Sequence, residues 1–130
     1  MQTTTENVRV EKTSHKILVV EDDPTIRQLM TYGVSRAGYT VLAAEDGEEA
    51  TSLIDDFKPN LILLDLYMPK MDGLSFLDQF GSRDIPIIVI SGSKIEGHRD
   101  ETIRRGASAF LDKPVSIELL LKKVDELLKA

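Results

Sequence analysis

Cysteine is missing from all 130 residues. That excludes a disulfide framework and a thiolate metal site, and it fits a reducing compartment, so the cytoplasm is the expected location. Long hydrophobic runs are missing too: no stretch approaches the roughly eighteen apolar residues a membrane helix needs, and no basic-then-apolar leader opens the chain. Membrane insertion and secretion are therefore not expected. Positive charge is in deficit, with 16 Lys and Arg against 22 Asp and Glu and a net charge of -6. A nucleic-acid binder displaces counterions with a cationic footprint, so direct nucleic-acid binding is not expected either.

What is present suits one soluble domain with a single core, at 42% hydrophobic and 29% charged residues. Residues 1–15, MQTTTENVRVEKTSH, are polar and aperiodic and read as a flexible tail. The domain is expected over 16–130. From Lys16 onward, short apolar runs alternate with segments of helical period, the βαβα signature of a parallel sheet covered by helices.

The runs Ile17–Val20, Leu61–Leu64 and Ile87–Ile90 are continuously aliphatic, as expected of strands buried on both faces. TVLAA at 40–44 and AFL at 109–111 are weaker and read as flanking strands. Between the strands, Ile26, Leu29, Met30, Gly33, Val34 and Ala37 fall on one helical face. Ala50, Leu53, Ile54 and Phe57 form a second such face, and Ile117, Leu120, Leu121, Val124 and Leu128 form the last. Leu74, Leu77 and Phe80 mark a shorter third helix from Gly73. The fourth, at 98–106, has only Ile103 and the following Ala107 to bury, while Arg99, Arg104 and Arg105 read as a solvated face. It is expected to be the least anchored helix. Five strands and five helices in strict alternation, with right-handed crossovers, imply a flavodoxin-like doubly wound (βα)5 three-layer sandwich.

In open parallel sheets, ligands bind at the carboxyl ends of the strands. Here the first strand is followed by Glu21, Asp22 and Asp23, the third by Asp65, the fourth by Ser91 and the fifth by Lys113. With strand order 2-1-3-4-5, Glu45 lies at the sheet edge, where Glu45 and Asp46 read as loop solvation. Asp23 precedes Pro24, which suits a first helical position, so Asp23 reads as an N-cap. Converging carboxylates repel and raise one another's pKa unless a hard divalent cation lies among them. Mg2+ fits, since it takes one or two carboxylates, waters and phosphate oxygens. Lys113 and Ser91 would then hold phosphoryl oxygens, with Asp65 as a ligand or as a nucleophile.

The segments ILVVEDDP, LILLDLYMPKMDG, IIVISG and GASAFLDKP together resemble the receiver domain of two-component response regulators, from Lys16 to the end of the chain. The resemblance implies that Asp65 is the phospho-acceptor and that Glu21 and Asp22 hold Mg2+, Asp22 directly and Glu21 through water. The backbone carbonyl of Tyr67 would complete the metal shell. It implies that Ser91 is the mobile hydroxyl, Lys113 the phosphoryl partner preceding a cis Pro114, and Phe110 the aromatic switch. Partners implied are a sensor histidine kinase or phosphotransfer protein and a downstream protein target bound through the fourth helix, fifth strand and fifth helix. Homodimer formation on phosphorylation is compatible with this, and the chain reads either as the stand-alone single-domain type or as a domain excised from a larger regulator or hybrid kinase. On that reading it is a signalling switch with its own Mg2+-dependent phosphotransfer and autodephosphorylation, not an enzyme acting on other substrates.

Two departures from the family pattern stand out: Gly92 where Ala is more usual, and Phe110 without a phenolic OH. A haloacid-dehalogenase-like phosphatase would need an acid where Tyr67 stands, and a dinucleotide binder would need glycines where EDDP stands. A docking module that is never phosphorylated has no use for the full set of acids, Ser91 and Lys113. His15 and His98 read as solvated.

Overall fold

A computed structural model of the chain describes residues 15–66, 73–81, 83–92 and 97–129. Elements follow in the order β1 (Lys16–Val20), α1 (Pro24–Arg36), β2 (Thr40–Ala44), α2 (Gly47–Phe57), β3 (Leu61–Asp65), α3 (Gly73–Phe80), β4 (Ile87–Ser91), α4 (His98–Arg104), β5 (Ala109–Asp112) and α5 (Ile117–Lys129). The five strands form one sheet in the order β2-β1-β3-β4-β5, all parallel. This is the flavodoxin-like order 2-1-3-4-5 expected for the chain. The register levels the carboxyl ends: Val20 pairs with Ala44 and Leu64, Asp65 with Ile90, and Ser91 with Asp112.

Alternation along the strands splits the core in two. Leu18, Val20, Ile62, Leu64, Ile87 and Val89 face α2 and α3 with Phe76, Leu77 and Phe80. Ile17, Val19, Leu61, Leu63, Ile88 and Ile90 face α1 and α5 with Met30, Val34, Leu120 and Val124. The central strands are unbroken aliphatic runs over Ile17–Val20, Leu61–Leu64 and Ile87–Ile90 because neither face meets water there.

Three expectations need correcting. Leu29 lies on the apolar period of α1 yet is exposed, because it sits at the rim of the face that α5 covers. In α4 the buried side chain is Thr102, not Ile103, which points outward. Thr102 tolerates burial because its hydroxyl donates to Arg99 O at 2.9 Å. Asp46 is buried rather than solvated: it caps α2, its carboxylate accepting from Glu49 N–H at 2.8 Å. Arg99 and Arg104 are exposed, as a solvated face requires, and they and Arg105 are also ion-paired, Arg99 with Asp112, Arg104 with Glu101, and Arg105 with Glu101 and Asp78.

Candidate functional site

The acidic run after β1 is sorted by backbone geometry. Glu21 N–H donates to Ala44 O at 3.1 Å, so strand pairing with β2 continues one residue past β1 and carries the Glu21 side chain inward, where it is buried. Asp22 is exposed. Asp23 adopts extended backbone before Pro24 at the helix start, and its Oδ1 accepts from Thr25 N–H at 2.8 Å and Ile26 N–H at 3.1 Å. It is an N-cap, as the proline predicts.

Asp65 is the last residue of β3 and is buried. Carboxylate oxygens of Glu21, Asp22 and Asp65 all lie within 4.8 Å of one another. Lys113 reaches into this group, its Nζ 3.2 Å from Glu21 Oε1 and 3.5 Å from Asp65 Oδ1. Burial first, then the charge and hydrogen bonding of Glu21, push the Asp65 carboxyl up to about 7, and Lys113 offsets this only in part. Burial would lower the Lys113 ammonium, but the charges of Asp65 and Glu21 outweigh it and the net shift is upward.

Ser91 ends β4 fully buried, and its carbonyl accepts from Lys113 N–H at 2.9 Å, which ties the loop after β5 to the end of β4. The Lys113–Pro114 bond is cis. Phe110 pairs with Val89, so by alternation it and Ser91 stand on the same face of the sheet. Its ring is in the buried, inward position within the core. The guanidinium of Arg99 lies 5.0 Å from the Phe110 ring centroid and donates to Phe110 O at 3.2 Å. A methyl at Gly92 would come no closer than 3.8 Å to Lys113 Cβ, so the loop has room for the alanine that is more usual there. Tyr67 lies outside the described residues.

The donor set fits Mg2+. It is made of oxygens and, among the described residues, three carboxylates stand against one ammonium and Glu21 Oε1 is buried with no hydrogen bond. Lys113 is close enough to pair with that oxygen but is not aligned to donate to it. A buried acceptor left in this state costs free energy, and a hard cation among the carboxylates would satisfy it.

Fold and site together define a doubly wound α/β domain with an acidic, lysine-containing cluster at the carboxyl edge of its sheet. The family model described as "Response regulator receiver domain" matches residues 17–125, and the chain belongs to that family. The response regulator MprA of Mycolicibacterium vanbaalenii is 37% identical over 116 residues, covering 88% of this chain and 50% of that protein. A probable transcriptional regulator, ycf27, of Porphyridium aerugineum is 36% identical over 119 residues, covering 85% of this chain and 50% of that one. The chain thus spans about half the length of the curated relatives it matches. Among solved structures, the receiver domain of the Francisella response regulator 1452 superposes with a TM-score of 0.83 at 32% identity, covering 88% of this chain and 97% of that one. The Vibrio cholerae chemotaxis protein CheY4 superposes with a TM-score of 0.80 at 31% identity, covering 87% and 98%.

One residue at this edge escapes sequence reasoning. Arg27 in α1 turns back to the acidic loop, and no spacing rule points to it because its partners are backbone carbonyls.

Proposed function

We propose that this chain is a phosphorylation switch in which Asp65 takes a phosphoryl group from a phosphohistidine on a sensor histidine kinase or phosphotransfer protein. One observation carries the reading: a buried carboxylate at a strand end lies 3.5 Å from an ammonium and within 4.8 Å of two further carboxylates. In the transfer, an Asp65 oxygen forms a bond to phosphorus as the nitrogen–phosphorus bond of the donor breaks. The imidazole leaves with the electron pair and Asp65 becomes an acyl phosphate. Lys113 neutralises charge on the transferring oxygens from a position already fixed by Asp65 and Glu21. Glu21, Asp22 and Asp65, with the Tyr67 carbonyl, would hold Mg2+, which when bound supplies further positive charge to the phosphoryl oxygens. Water attack on the acyl phosphate restores the carboxylate and ends the signal.

The output is a biased two-state element. A phosphoryl group on Asp65 offers the Ser91 hydroxyl a strong acceptor, and movement of Ser91 changes the space on the face it shares with Phe110. The inward Phe110 is then favoured, and the surface formed by α4, β5 and α5 presents a different face to a downstream protein. Support comes from α4, whose single buried residue, Thr102, leaves little to hold it.

Acetyl phosphate and MgCl2, followed by phosphate-affinity electrophoresis, are expected to give a shifted band with the wild-type chain. No shift is expected for Asp65→Asn, or for wild type in EDTA. Undiminished modification of Asp65→Asn would overturn the assignment of the nucleophile. Full modification in EDTA would overturn the metal.

A further inference from the structure

Arg27 stands in the first turn of α1, where the helix macrodipole disfavours a cation. Local propensity therefore does not explain it. Its Nη1 donates to Glu21 O at 2.9 Å and to Asp22 O at 3.2 Å. Those are the backbone carbonyls of the two residues whose side chains would hold the metal with Asp65. Four further interactions fix the same turn: Glu21 N–H on Ala44 O, Asp23 N–H on Glu21 Oε2 at 3.2 Å, and the two amides capped by Asp23 Oδ1. The carbonyls of Glu21 and Asp22 are bound to Arg27, and the loop's conformation is thereby set from both its donors and its acceptors.

We propose that Arg27 is a positioning residue for the metal site, a role that rests on the Mg2+ reading above. By holding both carbonyls on the helix side of the loop, its guanidinium keeps the Glu21 and Asp22 carboxylates directed toward Asp65. Its charge also offsets part of the repulsion among three acids. Without it, the loop must be ordered at the moment of metal binding, and affinity falls by the cost of that ordering. Partners of metal ligands commonly act in this way.

The test is Mg2+ binding by isothermal titration calorimetry on the full chain, with thermal unfolding in EDTA measured alongside. Arg27→Met fills the same space without a donor, and Arg27→Gln offers a neutral one. Each is expected to weaken Mg2+ about 10-fold. Arg27→Lys retains a charged nitrogen with several N–H groups and is expected to stay within about threefold of wild type. Mg2+ affinity within about twofold of wild type in Arg27→Met would overturn the proposal, even if that variant unfolds at a lower temperature in EDTA, since a merely structural arginine changes stability alone. Should Arg27→Met not fold, Arg27→Gln is read by the same criterion. Asp22→Asn separates the two readings. If it binds Mg2+ as tightly as wild type, the metal reading fails and this inference with it. If Asp22→Asn is weakened while Arg27→Met and Arg27→Gln are not, only the role of Arg27 fails.

Discussion

Helices α1 and α4 flank the same functional edge of the sheet, and different forces hold them. α1 buries Met30 and Val34 against the sheet and opens on a side-chain cap that engages two amides. α4 buries Thr102, opens on Gly97 with no side-chain cap, and is fastened by ion pairs. Apolar burial is insensitive to salt and modest pH change, whereas exposed ion pairs weaken with both. The helix next to the acids is thus fixed by packing, and α4 by adjustable charge. The proposed switch would use that division, the site that receives the phosphoryl group staying in place while the surface that reports it shifts.

The contrast can be broken first in α1. Met30→Ala should cost about 2–5 kcal/mol in urea unfolding, the range for truncating a buried side chain of this size. A cost below about 1 kcal/mol would mean that packing does not hold α1. Next, Asp23→Ala should cost about 1 kcal/mol through loss of the cap and, because the cap orders the turn without holding the metal, lower Mg2+ affinity less than Asp22→Asn does. Mg2+ affinity falling as far in Asp23→Ala as in Asp22→Asn would put the third acid in the metal site. Smaller still, Arg105→Ala removes pairs to Asp78 and Glu101 whose partners are partly exposed, and should cost less than about 1 kcal/mol globally. Its signature should be local, with faster amide exchange in α4 and little change in α1. Salt near 1 M should do the same to the wild-type chain.

The last prediction concerns pH. Hydrogen bonds from Arg105 and then Arg104 hold the Glu101 carboxyl below its ordinary value. The folded state thus binds fewer protons there than the unfolded state. The contribution is complete above the ordinary carboxylate pKa and fades as pH falls through the depressed one. Protection of α4 amides, corrected for intrinsic exchange, should decline on acidification before that of α1.

Much of this architecture was legible in the residues. Ile17–Val20, Leu61–Leu64 and Ile87–Ile90 could be read as central strands because only double-sided burial explains four aliphatic residues in a row. The division of Glu21, Asp22 and Asp23 was legible because Pro24 marks a helix start. The misreadings share a cause. Periodicity names a helical face but not where its rim meets solvent, which is why Leu29 and Ile103 were assigned inward. Local sequence is equally silent on partners distant in the chain, such as Asp78 for Arg105 or Asp112 for Arg99. Asp46 could have been found, since Asp three residues before Glu49 is an N-cap arrangement. Arg27 could not, because carbonyls carry no residue identity.

One close contact gives α4 a mechanical character. A Cβ on Gly106 would lie 2.5 Å from Gly81 O, and one on Gly81 would lie 2.3 Å from Arg105 O, so the chain after α3 and the chain after α4 touch backbone to backbone. At the opposite end, Gly97 has φ 87° and, among the described residues, nothing within 4 Å of where its Cβ would be. The helix is held by backbone contact behind its carboxyl end and, near its amino end, by the Arg99 side chain on Phe110 O and Asp112. That amino end lies at the carboxyl edge of the sheet, the edge that holds Ser91. In the proposed switch, a shift of Ser91 therefore meets first the end of α4 held by a side chain, and the backbone contact at the other end serves as the pivot, as a hinge serves a door.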